Sequence, residues 1–254
     1  MDKLSAHTRP AREIAADGRP QPTLLLSASV PYRRKAASSL TAGELQAFED
    51  LNESYLRDAQ PARIRSAVIE LTRAALGAGL RLVFGAHPAI SPMVLVAARD
   101  AGAAAGSVLI YQSRYFEHLI PQSTYELADW RSGWLVKTDI VDGPTDIDRR
   151  NVSLTLMREA MVTVPGLCGA VFIGGMDGLE EEAGLLDMLR PEVPKYALAS
   201  TSSAARILWE QYPKQFGGTL AKPEVLVDSL SYSVVARLIL EDLSGLASLA
   251  RSDI

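Results

Sequence analysis

The feature that most constrains this chain is the regular return of short apolar runs, each bounded by turn residues and separated from the next by a helical pattern. Residues 23–28, 81–85, 107–112, 134–138, 168–173 and 196–199 are runs of this kind. They are too short to be helices and rich in branched or aromatic side chains, so they are predicted to be buried strands. Between them, apolar residues recur at helical spacing. Pro61 suits a first helical turn, Ile64, Val68, Leu71 and Ala75 follow on one face, and Gly77 and Gly79 stop the pattern. Further helices are predicted over 92–105, 148–164, 179–189, 202–211 and 232–243. Strand–helix alternation calls for βαβ units and a mostly parallel, doubly wound sheet with helices on both faces. A chain of 254 residues that is 48% hydrophobic can bury such a core as one α/β domain. Residues 23–254 are assigned to it, with a polar, partly helical excursion over 32–60.

Composition removes several function classes. With 26 basic against 30 acidic side chains and a net charge of −4, the chain lacks the basic footprint of a nucleic-acid binder. No apolar run approaches the ~20 residues that span a bilayer, so no membrane partner is expected. Residues 1–22 are charged, lack the apolar stretch of a secretory signal, and are read as a mobile arm. The single cysteine, Cys168, sits in an apolar run and suits a reducing, cytoplasmic setting. His7, His87 and His118 share no ligand spacing, so no metal site is expected, and nothing calls for a resident cofactor.

In doubly wound sheets ligands bind beyond the carboxyl ends of the strands, so the turns after strands carry the candidates. Ile173-Gly174-Gly175-Met176-Asp177-Gly178-Leu179-Glu180-Glu181 runs from a strand through paired glycines into a helix. Glycines allow close backbone approach, and a helix start attracts anions. The same pattern also fits a tight turn with acids complementing the helix dipole. It is not the G-x-G-x-x-G dinucleotide fingerprint. A second turn supplies Gly85, His87 and Ser91, where Ser91 equally suits a helix cap. Ser27 and Ser29 follow the first strand. Arg158 lies among Leu154, Met157 and Met161, and a guanidinium on such a stretch needs a partner, either a carboxylate or a ligand.

Met157-Arg158-Glu159-Ala160-Met161, followed by a strand and the glycine turn ending at Glu181, resembles the SLOG superfamily. That Rossmann-like group includes cytokinin-activating phosphoribohydrolases once described as lysine decarboxylases. Their essential arginine and glutamate match Arg158 and Glu181, 23 positions apart here. The stretches 26–31, 83–92 and 171–178 resemble a bacterial SLOG branch associated with immunity, often beside TIR-type NAD-cleaving proteins. Relatives sense ADP-ribose-like molecules. The resemblance implies a nucleotide-derived ligand, a homo-oligomer, and an effector or TIR-type partner.

The chain departs from the hydrolase pattern. Ile173 replaces a proline, Asp177 a glycine, Gly178 a threonine and Glu159 a lysine. A carboxylate ~4 Å from a phosphate charge costs ~4 kcal/mol at an effective dielectric of 20. Asp177 is therefore expected to oppose a monophosphate and to suit a ribose diol. This favours a sensor of the ADP-ribose or cyclic ADP-ribose class. Its expected ligand-binding residues are Ser27, Ser29, Gly85, His87, Ser91, Arg158, Gly174, Gly175, Asp177, Gly178 and Glu181. The alternative is a nucleotide N-glycosidase using Arg158 and Glu181. A third reading is a scaffold that keeps the fold without a ligand.

Overall fold

In a computed structural model describing residues 8–10, 21–36, 40–119 and 133–252, seven strands form one sheet in which every pairing is parallel. The strands are β1 (Thr8–Pro10), β2 (Thr23–Ser29), β3 (Arg81–Gly85), β4 (Val108–Ser113), β5 (Gly133–Thr138), β6 (Leu167–Gly174) and β7 (Lys195–Leu198). Their spatial order is β1-β5-β4-β3-β2-β6-β7. From β2 the chain winds outward through β3, β4 and β5. It then crosses back to lay β6 on the other side of β2. The order reverses between β2 and β6, which creates the switch-point crevice at their carboxyl ends.

Six of these strands are the predicted ones. The seventh, β1, lies in the segment read as an arm, and Thr8–Pro10 pairs with Leu135–Lys137 at the sheet edge. The rest of residues 1–20 lies outside the described residues.

The period-two geometry of a strand sends alternate side chains to opposite faces. Leu24, Leu26, Leu82, Phe84, Val108, Ile110, Val171 and Ile173 fill one face. Packed there are α2 (Pro61–Gly77), α3 (Ser91–Asp100) and α8 (Tyr232–Ser252). Leu25, Val83, Leu109, Tyr111, Ala170 and Phe172 fill the other face. It is covered by α4 (Asp146–Val162), α5 (Asp177–Leu189) and α6 (Ser203–Gln211). Periodicity places the buried stripe of α2, whereas α4 buries Met157 and Met161 and leaves Val152 and Leu156 exposed. In α2 the stripe is Ile64, Ala67, Val68, Leu71 and Ala75.

Helix ends shift by a turn where local chemistry decides. Thr145 and Asp148 form a reciprocal capping box, which starts α4 at Asp146 rather than at 148. The helix expected to reach 105 ends at Asp100, where Gly102 takes a positive φ. The excursion contains α1 (Ala42–Leu56), capped by Thr41 and Glu44. A four-residue turn of helix, α7 (Val225–Asp228), precedes α8.

Two glycines separate conformational need from tolerance. Gly174 has φ +59°, and a Cβ there would lie 2.4 Å from Ile64 Cδ1. Gly77 is exposed at the end of α2 with no neighbour within 4 Å of a Cβ. Gly174→Ala is expected to destabilise the fold by at least ~1–3 kcal/mol through backbone strain alone. Gly77→Ala should stabilise it by ~0.4–1 kcal/mol. Urea unfolding of both variants checks the contrast.

Candidate functional site

The crevice is built first by backbone. Ser27 and Ser29 of β2 pair in register with Phe172 and Gly174 of β6. The Gly175 N–H donates to Ser29 O at 2.9 Å. The Gly174 N–H donates to Thr201 Oγ1 at 2.8 Å. Gly175 has φ +85°, and a Cβ there would fall 2.4 Å from Leu179 Cδ1. The glycine pair thus lets the chain turn sharply off β6 and seats the amino end of α5 at the mouth of the crevice.

Arg158 reaches that mouth from α4. The packing of Met157 and Met161 into the sheet face leaves its side chain only 12% exposed. Its Nη1 is ion-paired with Glu181 Oε2, so the partner it requires is the carboxylate expected from the sequence. Its Nε lies 3.8 Å from Glu182 Oε1 and makes no hydrogen bond, although it is fully buried. A Cβ on Gly178 would sit 2.9 Å from Arg158 Nη2, so the absence of a side chain there makes room for the guanidinium.

Glu182 supplies the deeper carboxylate. Its side chain is 14% exposed, against 56% for Glu181. Ser27 hydrogen-bonds to it, and a Cβ on Gly85 would lie 3.8 Å from its Oε1. Burial pushes the Glu182 carboxyl above its ordinary value, against the opposing pull of Arg158 and Ser27. Ser27, Gly85, Arg158, Gly178 and Glu181 are therefore brought together around a residue that the sequence reading passed over. Helical spacing carried the signal, because Glu182 lies one turn beyond Gly178.

The excursion closes the other side. Arg34 Nη1 lies 2.5 Å from Asp177 Oδ2, and the Gly178 N–H donates to Asp177 Oδ1 at 2.9 Å. Tyr55 of α1 donates to Glu180 Oε2 at 2.8 Å, while Ser203 donates to the Tyr55 carbonyl at 2.8 Å. The expectation that Asp177 opposes phosphate treated its charge as uncompensated; Arg34 compensates it. The basic run Arg33-Arg34-Lys35, set against the acids of α5, was the available signal.

His87 and Ser91 hold the turn after β3. The His87 N–H donates to Ser91 Oγ at 3.1 Å, and the Ala89 N–H donates to His87 Nδ1 at 3.1 Å. Burial lowers the His87 pKa, which favours the neutral ring. Ser91 is fully buried with its hydroxyl used inside the turn. Among the described residues there is no cluster of three His, Cys, Asp or Glu that could hold a metal. Nor is any helix among them long and apolar enough to cross a membrane. Burial raises the Cys168 thiol pKa, which disfavours the reactive thiolate.

The raised pKa of Glu182 makes stability depend on pH. Its folded form holds a proton that the unfolded carboxyl, with its ordinary value of 4.5, releases. The native state is therefore favoured below that value, and the advantage is lost as pH rises through the folded pKa. Glu182→Gln removes this term, so the variant should gain stability relative to wild type as pH increases from 4.5 upward. Denaturant unfolding at a series of pH values from 4.5 to ~7.5 measures it. A pH-independent difference between the two proteins would contradict the burial of that carboxyl.

No curated protein matches this chain. A family model described as the SLOG cluster3 family matches residues 54–234, which take in every element from the end of α1 to the start of α8. That span is well over half of the sequence and carries the glycine turn, Arg158 and the acids of α5, so the chain belongs to the SLOG cluster3 family.

Proposed function

We propose that this protein is a receptor for an NAD-derived nucleotide of the ADP-ribose or cyclic ADP-ribose class, acting as a signal sensor in bacterial antiviral defence. The observation that carries the reading is Arg158. It is a nearly buried guanidinium at the switch-point crevice, beside the amino end of a 13-residue helix, with its Nε unbonded. A planar donor fork in that position suits a phosphate oxyanion. The helix start adds partial positive charge, and backbone N–H groups can face the ligand. Glu181, more than half exposed on the same turn, suits ribose hydroxyls as a charged acceptor. Ser27, Ser29 and the Gly174–Gly175 backbone form the adjoining wall. SLOG membership supports nucleotide-related binding or processing. In this reading the signal passes through self-assembly or through an effector of TIR type.

One observation favours the second reading, a nucleotide N-glycosidase. Glu182 is a carboxyl with a raised pKa beside an arginine, as a general acid protonating a departing base requires. Glu181, the more exposed carboxylate, would then stabilise the oxocarbenium-like transition state.

Arg158→Ala should weaken ADP-ribose binding by ~2–5 kcal/mol, because a phosphate loses its buried partner. Calorimetry on wild type and variant measures this; unchanged affinity would remove Arg158 from the site. Incubation with AMP, NAD and ADP-ribose, followed by chromatography, separates the two readings. Intact ligand with a raised melting temperature supports the receptor. Steady release of free base by wild type, lost in Glu181→Gln or Glu182→Gln, supports the enzyme.

A further inference from the structure

Two guanidiniums, not one, meet the first turns of α5. Arg158 pairs with Glu181, and Arg34 pairs with Asp177 at 2.5 Å across 143 residues of sequence. Asp177 and Glu181 are four residues apart and so share one face of the helix, with Cβ atoms roughly 5–6 Å apart. Between them Gly178 has no side chain, and Arg158 fills the space a Cβ would take.

Arg34 is held from behind, independently of Asp177. Its Nε donates to Asn52 Oδ1 at 3.3 Å, and the buried Asn52 returns a bond from Nδ2 to the Arg34 carbonyl at 3.4 Å. Its guanidinium lies 5.5 Å from the centre of the Phe48 ring. The fork is thus aimed at α5 by the excursion itself. Its present partner is the more exposed of the two: the Asp177 side chain is 42% exposed, against 23% for Arg34. Glu181 is likewise the exposed member of its pair. Each arginine is fixed and largely covered, and each carboxylate can turn to water.

We propose that Arg34 and Arg158 form a paired-anion site selective for a diphosphate, in which Asp177 and Glu181 stand in for the two phosphates until the ligand displaces them. This rests on Arg158 being a phosphate ligand. One phosphate would use one fork; two linked phosphates use both, and each exchange replaces an ion pair with another while the displaced, more exposed carboxylate turns to water. A monophosphate gains only one of these exchanges. The site therefore discriminates by the second phosphate.

Calorimetry of wild type, Arg34→Gln, Arg34→Lys and Asp177→Asn with inorganic pyrophosphate and inorganic phosphate tests the pairing without any nucleotide. Wild type should prefer pyrophosphate by ~10-fold or more. Arg34→Gln should erase that preference, lowering pyrophosphate affinity by ~10-fold or more beyond any loss for phosphate. Arg34→Lys should keep part of it, since an ammonium retains the charge but not the fork. Asp177→Asn should tighten pyrophosphate by ~5-fold, a gain that misfolding cannot produce. Equal affinity of wild type for both anions, no pyrophosphate binding, or no gain in Asp177→Asn would overturn the proposal. ADP-ribose and AMP on the same proteins separate it from the nucleotide reading. Pyrophosphate selectivity with neither nucleotide bound keeps the paired site and ends the nucleotide receptor. Nucleotide binding that needs Arg158, but falls equally for ADP-ribose and AMP in Arg34→Gln, keeps the receptor and ends the pairing.

Discussion

A guanidinium cannot be buried against a sheet face without compensation, and the placement of Arg158 in α4 sets the terms for everything around it. Its neighbours Met157 and Met161 must pack on β3, β4 and their surroundings, which draws the arginine to the carboxyl ends of the strands. Two acids of α5 then meet it, one half in water and one beneath. Those acids reach it only because the chain turns off β6 through Gly174 and Gly175, in backbone conformations that another residue would strain. Gly178 must be small for the guanidinium to fit. Charge, turn and helix position are thus one constraint seen from three places.

The excursion over 32–60 answers a second electrostatic problem. The acid at position 177 stands at the amino end of α5, beside the crevice, and its charge has to be met. Arg34 meets it from a segment that contributes little to the main core, while Tyr55 is buried and bonded to Glu180 on the next turn. The excursion and the acidic first turn of α5 are therefore physically coupled. Changing Asp177 to glycine would leave Arg34 without its present carboxylate partner, and deleting the excursion would expose the acids of α5.

Much of the fold was legible because each core strand is a short apolar run and α2 buries a 3.6-residue stripe. Residues 81–85 and 196–199 were placed to within a residue, and α2 was placed at both ends. What escaped was set by partners distant in sequence. Thr8–Pro10 has no apolar pattern and is a strand only because it adds to the edge of β5. Arg34 and Glu182 gain their meaning from contacts 143 and 24 residues away, with Asp177 and Arg158. The Arg158–Glu181 pair could be anticipated because family resemblance supplied both ends at once. Ser91 illustrates the limit of reading a turn by composition, since the small hydroxyl placed there closes the turn on His87.

The position of β2 has a consequence for how the chain comes together during synthesis. One edge of β2 meets β3 soon after it is made, but the other waits for β6; Thr23 and Cys168, in contact across that pair, are 145 residues apart. At ~5–20 residues per second, this is an interval of about 7–30 seconds. Throughout it β2, an interior strand of the finished sheet, has an open edge, with Leu24, Leu25 and Leu26 beside unpaired backbone groups, the kind of template on which chains misassociate. Gly169 then admits Leu243 of α8 against Leu24, so a helix made after β6 covers the seam that closed late. The crevice that gathers the candidate ligand residues lies along this seam. It therefore cannot take shape until β6 has emerged to pair with β2.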